Sequence, residues 1–312
     1  MPLYYIRKNI AEMDVDMIVN TTNINLTPGV GVSAAIYKAA GEDKVKHALK
    51  SYPHCLPGDI VVTDGFDLKA KKIIHTVGPK YIDGYQGEAA ILAQCYQRSL
   101  VEAAVLSAQS IAFPLIASGT YQFPKELALQ IATKTIKEFL EHHELDVYLV
   151  VYDKESFQIS KQLYQNITSY ISEANILLQK RSIQLDDNIR YSLSYDSEIK
   201  PVEETFSDLL FHMIDQRSLS DVEVYKRANM DRKLFSKIRS DKHYQPKKST
   251  VIALGIALQL SHREMNKLLS KAGYTLSDSI LTDRLITYFL EQKTYDIHTI
   301  NEALFYYTDK TL

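Results

Sequence analysis

Residues 16–41, DMIVNTTNINLTPGVGVSAAIYKAAG, hold the groups best suited to gripping an anion. Met17, Ile18 and Val19 read as a buried strand, after which Asn20, Asn23 and Asn25 offer amide donors and acceptors. The loop Pro28-Gly29-Val30-Gly31-Val32 then enters an alanine-rich helix, with Ser33 as its expected N-cap and Gly41 as its stop. Glycines let backbone approach a ligand closely, and a helix start presents unpaired N–H groups at the positive end of its dipole. Such groups suit a phosphate. A second polar loop, Ser118-Gly119-Thr120-Tyr121-Gln122-Phe123, follows the apolar run 111–116 and adds the Ser118 and Thr120 hydroxyls as donors. Tyr121 or Phe123 would pack against a sugar or a base.

Gly29, Gly31 and Ala34 also fit the dinucleotide pattern G-x-G-x-x-A. That reading fails on context. The first glycine should follow its strand almost at once, with an acidic residue about 20 residues further on. Here nine residues separate Val19 from Gly29, and the later region reads SYPHCLPGD.

The elements that must position these loops alternate along the first half. Short apolar runs predict strands at 3–7, 16–20, 59–63, 72–77, 111–116 and 146–152. Helices are expected at 33–40, 42–51, 87–108, 124–143 and 155–172. The pattern predicts an α/β domain of three layers, α/β/α, over residues 1–172. Residues 173–201 are irregular and polar and read as a linker. From 202 to 312 an all-helical domain follows, with helices at 202–216, 220–228, 231–239, 248–259, 261–272, 279–292 and 296–307.

Four ordered blocks in the first half carry a family resemblance: VDMIVNTTN, TPGVGVSAAIYKAAG, PGDIVVTDGFDLKAKKIIHTVGPKY and IAFPLIASGTYQFPKELALQIATKTI. Together they resemble a macro domain, the ADP-ribose-binding fold with a mixed central sheet. The resemblance implies ADP-ribose as ligand and no cofactor. It places Asn9 and Ile10 at the adenine, Asn23 at the distal ribose, and the backbone of Gly29, Val30, Gly31, Val32 and Ser33 with Ser118, Gly119 and Thr120 at the diphosphate. Asn9 stands where the family usually has an aspartate, which weakens a charge-assisted hydrogen bond about twofold. Ser33 replaces the aspartate of the hydrolytic branch, and serine without a base partner takes no proton from water near neutral pH. Gln122 replaces a glycine. These changes favour recognition over hydrolysis. The alternative is a mono-ADP-ribosyl or O-acetyl-ADP-ribose hydrolase in which Asn23, the one catalytic candidate, positions water. Asn20 reads as a loop-stabilising residue and His75 as a satisfied core residue.

Residues 218–260 resemble a phage-repressor-type helix–turn–helix. Ser220 and Glu223 form a capping box, Asn229 occupies the turn, and Asp231 caps the second helix. Leu234, Phe235 and Ile238 would pack, leaving Arg232, Lys233, Ser236, Lys237 and Arg239 toward solvent or phosphate. Residues 217–250 carry ten basic and four acidic side chains, within a chain of net charge −2. That excess suits a nucleic-acid backbone. DNA or a partner protein, since helix–turn–helix scaffolds also serve as protein-interaction modules, is therefore the expected target of this domain, and an ADP-ribose-responsive DNA-binding regulator is a third reading.

The 312 residues favour two domains, and 46% hydrophobic composition supports real cores. No apolar run approaches the roughly 18 residues of a membrane span, and no signal segment is evident. Cys55 and Cys95 lack metal-type spacing. A cytoplasmic protein without membrane partners or a metal is expected.

Overall fold

A computed structural model describes residues 2–52, 54–151, 163–172 and 205–312. Apart from its last residues, the chain divides into two compact units, Met1–Gln158 and Ile159–Thr308.

In the first unit, all six expected strands form: β1 (Leu3–Ile6), β2 (Met17–Thr22), β3 (Ile60–Asp64), β4 (Lys72–Val77), β5 (Ser110–Pro114) and β6 (Asp146–Val150). They make one sheet in the order β1-β6-β5-β2-β4-β3, parallel except for the β3–β4 pair. The central strands are short and apolar because helices cover both faces. On one face Ile18 and Ala112 join an apolar cluster with Ile36 and Tyr37 of α1 (Val32–Ala40) and Val45 of α2 (Glu42–Leu49). Successive strand residues point to opposite faces. Phe113 accordingly meets Tyr96 of α3 (Glu88–Val105), with ring centroids 5.3 Å apart. Tyr5 reaches Thr133 of α4 (Lys125–Leu140), Oη to Oγ1 3.2 Å. The result is the expected three-layer mixed α/β architecture.

The second unit is helical over its described residues: α5 (Phe206–Gln216), α6 (Asp221–Arg227), α7 (Arg232–Ser240), α8 (Lys248–Ala257), α9 (His262–Lys271), α10 (Leu281–Glu291) and α11 (Ile297–Thr308). Its connectors repeat one device. A residue with positive φ ends a helix, an apolar residue follows, and a cap starts the next: Ser218-Leu219-Ser220, Asn229-Met230-Asp231 and Gln259-Leu260-Ser261. The apolar residue's N–H closes back on the preceding helix, as from Met230 to the Tyr225 carbonyl at 2.9 Å. Capping boxes form at Thr205/Asp208, Ser220/Glu223 and Ser261/Glu264.

Residues 163–172 are helical, and Ile167 is fully buried in the helical unit's core beside Leu163, Tyr170 and Ile171. The α/β domain was expected to run to 172; this helix instead spends its apolar face on the second unit. The rest of the expected helix 155–172, and the expected linker, 173–201, lie outside the described residues. Among the described residues, no helix is long and apolar enough to cross a membrane.

Candidate ligand-binding site

β2 and β5 pair only at Met17↔Ile111 and Ile18↔Ala112. Beyond those residues β2 continues along β4 to Thr22↔Val77, while β5 continues along β6 to Pro114↔Val150. The two inner strands therefore part at their C-terminal ends, where ligands bind in open α/β sheets. The loops that leave those ends are the two singled out from sequence.

The first loop is held by its own polar groups. The Asn23 carboxamide accepts from the N–H groups of Asn25 (3.0 Å) and Thr27 (3.3 Å), and its Nδ2 donates to the Thr27 carbonyl at 3.1 Å. Tyr37 donates its hydroxyl to the Leu26 carbonyl at 2.7 Å, and burial pushes its pKa up to about 12, so it stays a donor. The loop-stabilising role expected of Asn20 thus falls to Asn23. Gly31, not Ser33, is the N-cap of α1, with φ 61° and ψ −123°, a conformation that residues with a β-carbon rarely adopt. Ser33 is 3% exposed, and its Oγ accepts the Gly29 N–H at 3.3 Å, which folds the glycine loop onto the helix. Gly29 and Val30 are exposed, whereas Val32 is half-buried.

The second loop turns through Ala117 (φ 62°) and Gln122 (φ 54°). Gln122 keeps a backbone geometry that suits glycine, at a cost of about 1–2 kcal/mol. Its N–H closes on the Gly119 carbonyl at 2.9 Å, and the Phe123 N–H on the Ala117 carbonyl at 3.0 Å. Ser118 donates its hydroxyl to the Leu115 carbonyl at 2.8 Å, while Gly119 and Thr120 are exposed. Tyr121 packs against the same apolar cluster as Val32, so both loops rest on one support.

Two aromatic or apolar candidates are buried. Phe123 is 1% exposed and meets Tyr81 edge-on at 5.1 Å, so its ring supports the loop. Ile10 is 3% exposed because its side chain belongs to the core under α1. Asn9 is exposed and caps the short 3-10 turn Ile10–Glu12, accepting from the Ala11 N–H at 3.1 Å and donating to Glu12 at 3.0 Å.

Sequence reading missed the third loop. Residues 78–81 leave β4 at the same sheet end, and the Tyr81 N–H donates to the Tyr121 carbonyl at 3.0 Å. A β-carbon on Gly78 would lie 2.8 Å from that of Ala117, so this glycine permits the close approach. A glycine ending an apolar strand was the available signal.

Beneath the site, His75 is fully buried and its pKa falls to about 4 because burial disfavours the charged ring. Asn20 Nδ2 lies 3.1 Å from His75 Nδ1, and Thr63 Oγ1 lies 2.9 Å from Nε2. The Asn20 amide donates to Nδ1, which leaves the proton on Nε2 to donate to Thr63, whose hydroxyl donates onward to the Asp64 carbonyl at 3.1 Å. Asn20 Oδ1 remains a buried acceptor with no partner among the described residues.

In the second unit, Phe235 and Ile238 are buried and Leu234 half-buried, while Arg232, Lys233, Ser236, Lys237 and Arg239 are exposed. Arg239 nonetheless pairs with Asp221 and lies over the Phe211 ring at 4.2 Å. Arg217 pairs with Glu264 at 2.7 Å and Lys248 with Asp283 at 2.5 Å, so part of the local positive excess is spent inside the fold.

A family model described as Macro domain matches residues 19–132, wholly within the first unit. A macro domain-containing protein of Methanosarcina mazei is 43% identical over 161 residues, covering 51% of this chain and 86% of that protein. An O-acetyl-ADP-ribose deacetylase of Cronobacter sakazakii is 39% identical over 163 residues, covering 51% and 91%. The solved Oceanobacillus iheyensis macrodomain with ADP aligns at 29% identity and a TM-score of 0.48, covering 53% of this chain and 90% of that one. With its diverging strands, its paired loops and relatives matched over most of their length, the chain belongs to the macro domain family.

Proposed function

We propose that the first unit binds ADP-ribose, free or attached to a macromolecule, with the diphosphate held between residues 28–33 and 117–122. The observation that carries this reading is the parting of β2 and β5 after two paired residues, with a glycine-bearing loop on each side. The exposed backbone of Gly29, Val30, Gly31, Gly119 and Thr120 supplies neutral donors of the kind that phosphate oxygens accept. The half-buried Tyr121 is the aromatic available to a sugar. The similarity to proteins named O-acetyl-ADP-ribose deacetylase supports the same ligand class. Fluorescence polarisation with a labelled ADP-ribose tests it: saturable binding competed by unlabelled ligand supports the reading, and its absence at millimolar ligand refutes it.

Hydrolysis is the second reading, favoured by the same relatives' names. The chemistry of this site favours recognition. Asn23 spends its amide on Asn25 and Thr27, Ser33 spends its oxygen on Gly29, and the candidate ligand residues include no carboxylate. Release of acetate from O-acetyl-ADP-ribose, lost in Asn23→Ala, is the result that would move the assignment to an enzyme.

For the second unit we infer a helix–turn–helix at α6 and α7, supported by the Ser220 box, the positive φ of Asn229 and the Asp231 cap. Nucleic-acid contact through Arg232, Lys233, Ser236, Lys237 and Arg239 calls for an affinity that falls steeply with salt. Mobility shifts with and without ADP-ribose separate independent binding from a ligand-responsive regulator.

A further inference from the structure

We propose that the helical unit holds a small-molecule site of its own, a cavity that takes a phosphate monoester of nucleotide size. The cavity measures about 700 Å³, within the range that encloses such ligands. It lies where the ends of α6 and α8 meet the connector from α10 to α11. It shares no residue with the ADP-ribose loops or with the exposed cations of α7.

Its apolar lining belongs to the core. Ile256 and Ala257 of α8 and Ile297 of α11 are 1%, 2% and 3% exposed. Tyr295 lines the same cavity, and its hydroxyl donates to the Leu260 carbonyl at 3.2 Å, which anchors the ring in place.

Around this lining stand three cations: Lys226 and Arg227 from the last turn of α6, and Lys293 from the turn after α10. A favourable dipole interaction accounts for a cation near any one helix end. It does not account for the convergence of three on one cavity. Asp296 is the one carboxylate among the described lining residues, and it caps its own helix. Its Oδ1 accepts the His298 N–H at 3.1 Å, and its Oδ2 accepts the Thr299 hydroxyl at 3.1 Å. Glu223 lies 3.8 Å from Arg227, but both groups are exposed, so water screens the pair. The other Glu223 oxygen is held by the Ser220 N–H and hydroxyl. The cavity therefore sets an excess of positive charge beside a buried apolar surface.

That combination selects the class of ligand. Two ammonium groups and a guanidinium suit a dianionic phosphate, to which charge-assisted donors bind strongly and a guanidinium can bind through two N–H groups. The apolar lining and the Tyr295 ring suit the sugar or flat ring that carries the phosphate. The diphosphate of ADP-ribose is internal and offers no terminal monoester, so the two units call for different ligands.

Calorimetric titration of the full chain with UMP, AMP, uridine and inorganic phosphate tests this, with ADP-ribose binding followed in parallel. At least one of the two nucleotides should bind saturably, and both uridine and inorganic phosphate should bind at least tenfold more weakly. Lys226→Ala and Lys293→Ala should each lose roughly tenfold in affinity for that nucleotide, the cost of a charge-assisted hydrogen bond. Both variants should stay within about twofold of wild type for ADP-ribose, which also shows that they fold. Gly31→Ala should leave the nucleotide affinity unchanged. Four results would each overturn the proposal: no saturable heat with either nucleotide at millimolar concentration, uridine or inorganic phosphate binding as tightly, unchanged affinity in both lysine variants, or a loss in Gly31→Ala, which would put the nucleotide in the first unit.

Discussion

At the scale of single residues, the site is governed by who holds the backbone donors. Ser33→Ala removes the acceptor of the Gly29 N–H. It should cost about 1 kcal/mol of stability and weaken ADP-ribose binding, seen in urea melts and polarisation titrations. Gly31→Ala meets no atom within 4 Å, so its penalty is purely conformational, about 1–3 kcal/mol. His75 carries a pH prediction. Its folded pKa, about 4, lies below the unfolded value near 6.5, so the unfolded chain takes up the proton first. Stability is therefore full above about pH 6.5 and lost as pH falls toward 4, by about 2 kcal/mol between pH 7 and pH 5. Urea unfolding of the wild type and His75→Gln at both pH values checks this; an equal pH dependence in both proteins would contradict it. The clustering of Asn, Gly and Ser in two loops was legible from the sequence. Their individual partners were not, because Asn23 and Ser33 bond groups whose positions depend on how the whole loop folds. Ser33 looked like a cap because it opens an alanine-rich run, yet Gly31 reaches a conformation that side-chain-bearing residues rarely adopt.

At the scale of elements, the strands were readable because each is a short apolar run, and the helix caps because Ser, Thr and Asp with a carboxylate three residues on have one local meaning. Positive-φ turns at Ala117, Gln122 and Gln259 carry no such sequence mark, since glycine is absent there. The burial of Phe123 was equally hidden, resting on Tyr81, a residue distant in sequence. The loop after β4 provides the element-scale test. Glu88, depressed to about 2, stabilises the loop above the ordinary carboxylate range and loses that contribution as pH falls through about 2. The N–H groups of Ile82, Asp83, Gly84 and Gln86 donate to this carboxylate. The amide resonances of residues 82–86 should titrate with a midpoint near 2; a midpoint near 4.5 would show the carboxylate free of those donors. Gly78→Ala forces a β-carbon to within 2.8 Å of Ala117 and should cost about 1–3 kcal/mol, moving both loops apart.

At the scale of the whole molecule, the division into an α/β unit and a helical unit was visible in the change from strand-bearing to strand-free sequence. The boundary was not: residues 163–172 continue the helical pattern without marking which core they join, and Ile167 joins the second. Two units with separate cores predict two responses to ligand. ADP-ribose at a hundred times its dissociation constant should stabilise one unit by about 2.7 kcal/mol, raising one calorimetric transition and leaving the other in place. Isothermal titration of the full chain with ADP-ribose tests most simply whether the two loops hold the nucleotide. Saturable binding of one ligand per chain, weakened in Gly31→Ala, is the expected result. No saturable heat at millimolar ADP-ribose would contradict it.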